Sequence, residues 1–181
     1  MPNKILYFFA LFPDAEQEVS EEIWQDIEIE LEKFAWQKLL NFLAYRERSE
    51  KECSLFFKKN LFNEELSQRL ISKAIKLNYL NSERFAELFV QSLIEQNRSK
   101  NEIVNKLYEK GIENEVTHKL LLKYYQSAHI EILKQNILKV AKRYSQLPKN
   151  KQREKILNNL IRKGFSYSEI ISEVAAILAT E

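Results

Sequence analysis

One pattern constrains this chain more than any other: a capped helix start that appears three times, the second 50 residues after the first and the third 67 after the second. Ser49-Glu50-Lys51-Glu52, Ser99-Lys100-Asn101-Glu102 and Ser166-Tyr167-Ser168-Glu169 each read Ser-x-x-Glu. In that pattern a hydroxyl and a carboxylate satisfy each other's orphan backbone donors at a helix start. Other fragments keep a similar step. Glu32-Lys33-Phe34-Ala35 returns as Glu83-Arg84-Phe85-Ala86, and Lys59-Asn60-Leu61 as Lys110-Gly111-Ile112, each 51 positions later. Lys163-Gly164-Phe165 follows after 53 more. A unit this short buries too little surface alone, so tandem neighbours supply the missing core.

The chain has two Gly and three Pro in 181 residues, too few turn formers for an all-β fold with many tight turns. Apolar residues instead recur at helical spacing. A segment from Glu21 to about Arg46 carries Ile23, Ile27, Leu31 and Phe34 in register. It reads as one long helix or as two, and the change from acidic to apolar near Phe34 favours a break. Helices from Ser49 to Lys59 and from about Asn63 to Leu77 complete a first round. Asn78-Tyr79-Leu80-Asn81-Ser82 then closes one helix and opens the next. Asn78 tolerates the left-handed conformation, and Asn81 or Ser82 caps the new start. The second round runs to Asn97, then from Ser99 to Lys110-Gly111, then onward from about Glu113 through Val116, Leu120 and Tyr124. In the third, helices span Ile130 to Tyr144, Lys151 to Lys163 and the stretch after Ser166, with Leu147-Pro148 as a breaker. Both glycines fall at the same joint of their rounds, and Asn60 takes that joint in the first. The expected fold is all-α. Tandem three-helix repeats occupy 34–80, 81–127 and 128–181, behind an acidic, partly helical N-terminal segment at 1–33.

Net charge is +2, but it is unevenly spread. Residues 1–36 sum to −7, while residues 134–163 hold ten bases against the single acid Glu154. Imbalance of this size bears on partners rather than on fold. The lone Cys53 forms no internal disulfide, which fits a reducing, cytoplasmic setting. Ile5 to Phe12 is apolar but much shorter than the about 20 residues that a spanning helix needs. It is expected to pack on the helices, and no membrane partner is expected.

Catalytic groups are hard to assemble from what remains. His118 and His129 have no Cys or carboxylate cluster at ligand spacing and read as exposed helical histidines. Cys53 sits in a helix beside Leu55 and Phe56, the place of a small core residue. Two glycines cannot build a phosphate-cradling loop. The expectation is a chain that is not an enzyme and has no metal or cofactor. The cations are the stronger lead. Lys58, Lys59, Arg98, Lys100, Lys106, Lys110, Arg162 and Lys163 fall at helix ends or just beyond, in every round, and Lys151 and Arg153 add to the third. A recurring positive edge tracks a phosphate backbone or an acidic protein groove, with binding that weakens steeply in salt. Each cation singly is explained as well by solvation or by the negative end of its helix dipole. It is the recurrence that points to a partner. Tyr45, Tyr108, Tyr124, Tyr125 and Tyr144 offer stacking faces, unless helical packing buries them.

Together these residues resemble the RecX family of bacterial recombination regulators. The likeness rests on Tyr79-Leu80-Asn81-Ser82-Glu83-Arg84-Phe85-Ala86 with Phe89-Val90, on Arg46-Glu47-Arg48-Ser49-Glu50-Lys51-Glu52, and on the joints Lys110-Gly111-Ile112 and Lys163-Gly164-Phe165-Ser166. It covers about residues 35–178, and the first 34 have no counterpart. Asn60 and Asn78 stand where the family favours glycine, Asn81-Ser82 replaces a more acidic pair, and 96–101 is less basic than is common there. The resemblance implies tandem three-helix repeats in an elongated, curved array. It implies a regulator that binds within the groove of a RecA filament on DNA and restrains ATP hydrolysis and strand exchange in recombination, DNA repair and the SOS response. A monomer is expected. Two other readings stand beside it: a helical protein that binds DNA directly, and a helical-repeat adaptor for another protein. In the adaptor reading the acidic segment is the docking site or a cover for the cations.

Overall fold

A computed structural model describes residues 18–178. Among these, nine α-helices follow in order with no strand: α1 (Glu21–Ala44), α2 (Glu50–Lys59), α3 (Glu64–Lys76), α4 (Ser82–Glu95), α5 (Lys100–Glu109), α6 (Asn114–Leu120), α7 (Gln126–Arg143), α8 (Lys149–Arg162) and α9 (Tyr167–Leu178). A π turn, Leu121–Tyr125, joins α6 to α7. The apolar stretch 5–12 and the start of the acidic segment lie outside the described residues. No described helix is long and apolar enough to cross a membrane.

Local chemistry sets where the helices begin. Ser49 and Ser99 each accept the backbone N–H three residues on, while Glu52 and Glu102 accept the serine's own N–H. Ser166 and Glu169 make the same reciprocal pair. Asn63 caps α3 through the Leu66 N–H at 2.8 Å.

The ends are equally regular. The positive-φ residues of the described chain are Leu61, Asn78, Asn97, Gly111 and Gly164. Each donates its N–H to the carbonyl three back, and the next residue donates to the carbonyl five back. This is the Schellman closure, in which a left-handed residue turns orphan helix carbonyls back onto the chain. At the α5 end, Gly111 bonds Tyr108 and Ile112 bonds Leu107; at the α2 end, Leu61 bonds Lys58 and Phe62 bonds Phe57. The glycine's counterpart in the first round is therefore Leu61, not Asn60. Asn60 has φ −91 and uses its side-chain amide on the Phe56 carbonyl at 2.8 Å. The two capping boxes agree, since they stand 50 positions apart rather than 51.

The chain forms two compact units, Met1–Ser82 and Glu83–Glu181. In the first, Ala35 and Leu39 of α1, Cys53 and Phe57 of α2, and Leu66, Leu70 and Ala74 of α3 share one core. The break expected near Phe34 is absent. Ile27, Ala35 and Leu39 are buried, and Leu31 packs on the same stripe. This i, i+4 stripe runs through the whole helix, and no Gly or Pro interrupts it. Phe42 stacks on Phe56 at 4.3 Å with the Arg48 guanidinium 4.0 Å above its ring. Acids of α1 are paired locally: Glu32 holds Arg69 of α3 at 2.7 Å.

In the second unit one core runs from Phe85 to Val174. The helices expected separately from Glu113 and from Ile130 are a single run, because α6, the π turn and α7 follow without an interruption. Tyr125 of the π turn is 4% exposed, and its hydroxyl accepts the Lys100 N–H at 3.0 Å. The start of α5 is tied at a second place. Ser99 donates its hydroxyl to the Lys163 carbonyl, and Asn101 donates its amide to the Gly164 carbonyl at 2.9 Å.

Candidate nucleic-acid interface

The cations named from the sequence sit in several distinct settings. Lys58 and Lys59 are exposed in the last turn of α2, where the helix dipole presents its negative end. Lys106 lies half-buried in the last turn of α5, and Lys110, one residue beyond that helix, carries its ammonium 5.8 Å from the Phe89 ring. Lys100 is exposed at the first position of α5, and Arg162 is exposed at the last of α8. Lys151 and Arg153 are exposed near the start of α8. That start has no acid in its first turn and no side-chain cap on its orphan amides. Cations there face the positive end of a dipole, an unfavourable placement that an external anion relieves.

Arg98 and Lys163 are brought together. They border an open concavity of about 400 Å3 formed by the α4–α5 joint, the middle of α7 and the residue after α8. Lys139, Lys142, Glu102 and Asn136 also line it. Asn136 is 5% exposed. Its amide nitrogen donates to the carbonyls of Asn97 and Ile132, each at 2.8 Å, and its oxygen accepts from the Lys163 ammonium at 2.8 Å. Burial holds the Lys163 ammonium below the usual lysine range, and the charges of Lys139, Arg143 and Arg98 push the same way against Glu102. Arg98 pairs with Glu102 at a long 3.4 Å, and its buried Nε has no hydrogen-bond partner.

Lys139, Lys142 and Asn136 were not among the residues named from the sequence. The signal for the two lysines was spacing: 135, 138, 139 and 142 lie on one face of a helix within the base-rich run 134–163, whereas Asn136 is buried and carried no such signal. One histidine also departs from expectation. His118 is exposed, but His129 is half-buried between the Glu169 carboxylate at 3.1 Å and the Tyr125 hydroxyl at 3.3 Å. Cys53 is fully buried in the first core, where burial pushes its thiol up to about 12. Tyr125 is buried, whereas Tyr45 and Tyr108 are exposed. Among the described residues no three His, Cys, Asp or Glu side chains converge as a metal site.

Capped helices in tandem rounds, with cations on helix ends and around one concavity, define an all-α helical-repeat protein. No family model matches the chain. A regulatory protein RecX of Listeria monocytogenes is 31% identical over 145 residues, which are 80% of this chain and 52% of that protein. A regulatory protein RecX of Finegoldia magna is 30% identical over 155 residues, 82% of this chain and 75% of that protein. The crystal structure of RecX from Lactobacillus salivarius superposes with a TM-score of 0.68 at 26% identity, covering 80% of this chain and 95% of that one. A second crystal structure of a regulatory protein RecX gives 0.73 at 23% identity over 92% and 82%. The chain belongs to the RecX family. It spans about half the length of the Listeria relatives that it matches.

Proposed function

We propose that this chain regulates the RecA recombinase by binding its filament on DNA and slowing ATP hydrolysis and strand exchange, and that it catalyses no reaction itself. The name carried by its relatives supports the regulatory role. The observation that carries the reading to a nucleoprotein partner is the distribution of cations. Both units place exposed lysines or arginines at helix ends, and the second gathers four around one concavity. A filament of recombinase on DNA presents phosphates and acidic protein surface, both of which attract such groups. The repeats proposed to do this are 34–80, 81–127 and 128–181, in a monomeric, cytoplasmic protein.

The test is a titration of the purified chain into RecA on single-stranded DNA with ATP, reading released phosphate. The expected result is slowing at or below one chain per recombinase. No slowing at low salt, with folded protein, would sink the reading.

A further inference from the structure

We propose that the concavity bordered by Arg98, Lys139, Lys142 and Lys163 is a phosphate-binding site. Charge is the first ground. Four cations and one carboxylate line the same space, so three positive charges are unbalanced. Glu102 is the one offset already counted, and it is spent on Arg98 and the Ser99 N–H at 3.2 Å, which leaves the three lysines without a carboxylate in the concavity.

The second ground is that the site is built. A buried Asn136 spends both amide donors on backbone carbonyls, which fixes its oxygen toward the Lys163 ammonium. The reversed amide would aim its oxygen at carbonyls and its N–H groups at a cation, so the orientation is settled by the network. Burying an amide to hold a lysine in place is costly unless each polar group is paired. Here the pairing is complete and directs the lysine into the concavity.

The third ground is Arg98 itself. At the other four Schellman joints the residue after the left-handed one is Phe62, Tyr79, Ile112 or Phe165. That position ordinarily packs an apolar side chain on the helix end. At the α4–α5 joint it is an arginine, with a buried Nε that has no partner. A charged group has taken the place that packing alone would give to an apolar one.

Phosphate fits this arrangement better than a carboxylate. A carboxylate is satisfied by one guanidinium fork, whereas Lys163, held by Asn136, and the exposed Lys139 and Lys142 add three point charges around space for several oxygens. A phosphate group supplies three acceptor oxygens and up to two charges. It can come from a nucleic-acid backbone or from free phosphate compounds, and the chemistry is shared. The site deepens the regulatory reading above, which draws on the same four cations, and its test is separable from that reading.

The full chain, labelled with 15N, is titrated at low salt with pyrophosphate, with an oligo-dT strand and with poly-glutamate. The Asn136 side-chain amide and the Arg98 Nε–H are followed. Saturable shifts of both with oligo-dT alone assign the phosphate to a nucleic-acid backbone. Equal saturation with pyrophosphate assigns it to free phosphate compounds. Lys139 and Lys142 are exposed, so Lys139→Glu with Lys142→Glu leaves the fold intact by thermal melting. This variant is expected to weaken binding at least tenfold, and to lower the salt slope for oligo-dT by about one per lysine that contacts phosphate. Unmoved resonances, unchanged affinity in the variant, or tighter binding of poly-glutamate at these residues each overturn the site. The recombinase ATPase is read separately. Phosphate binding here without any slowing keeps the site and sinks the regulatory reading, and slowing without phosphate binding does the reverse.

Discussion

Leu61 holds a left-handed conformation, with φ 60, while 88% exposed. Its Cβ bears the steric penalty of that region, roughly 1–2 kcal/mol for an L-residue, with almost no packing in return. Leu61→Gly is expected to stabilise the fold by about 1 kcal/mol, seen as a higher urea midpoint at unchanged slope. Gly164 shows why the same joint is glycine elsewhere. A Cβ there would lie 2.8 Å from the Asn101 Cβ and 3.2 Å from the Ser99 hydroxyl. Cys53 carries a second prediction at this scale. Its thiol is raised from 9.0 to about 12 in the fold, so folding disfavours the thiolate. Its contribution is fully present below pH 9.0 and is lost as pH rises through about 12. Denaturant curves across that window should show the wild type losing more stability than Cys53→Ala, and native Cys53 should resist thiol reagents until the chain unfolds.

At the scale of elements, the two matched capping boxes do different work. Ser49 closes only its own helix start, whereas Ser99 also donates to the Lys163 carbonyl across 64 residues. Ser49→Ala is expected to cost about 1 kcal/mol, the ordinary value of an N-cap. Ser99→Ala should cost more, because the cap and the tie to the α8 joint are lost together. Equal drops in melting temperature would contradict the tie. The start of α8 predicts effects of opposite sign. Lys151→Glu puts an acid at the positive end of the dipole, so stability should rise by about 0.3–1 kcal/mol. Affinity for the filament should fall in the same variant. If both move in the same direction, the cations at this helix start serve no partner.

At the scale of the whole molecule, two separate cores hold the described chain. Leu70 and Ile137 are fully buried, one in each. Truncation of either to alanine is expected to cost about 2–5 kcal/mol. Residues that share no partners add, so the double variant should equal the sum within about 0.5 kcal/mol. A larger departure would mean that the cores communicate through the chain between them.

The capped helix starts and the glycine joints were legible in the sequence because their causes are local. A Ser-x-x-Glu box satisfies its donors within four residues, and a left-handed joint closes carbonyls at most five residues back. The buried stripes of α2, α3 and α5 follow from spacing for the same reason. Packing decided the rest. It kept α1 whole through Phe34 and carried α6 into α7 through the π turn. It also gathered Arg98, Asn136, Lys139, Lys142 and Lys163 around one concavity. The charge pattern singled out Arg98 and Lys163 at helix ends but not Lys139 or Lys142. Which faces meet is fixed by how buried stripes from distant segments fit against one another, and that is a property of the folded chain alone.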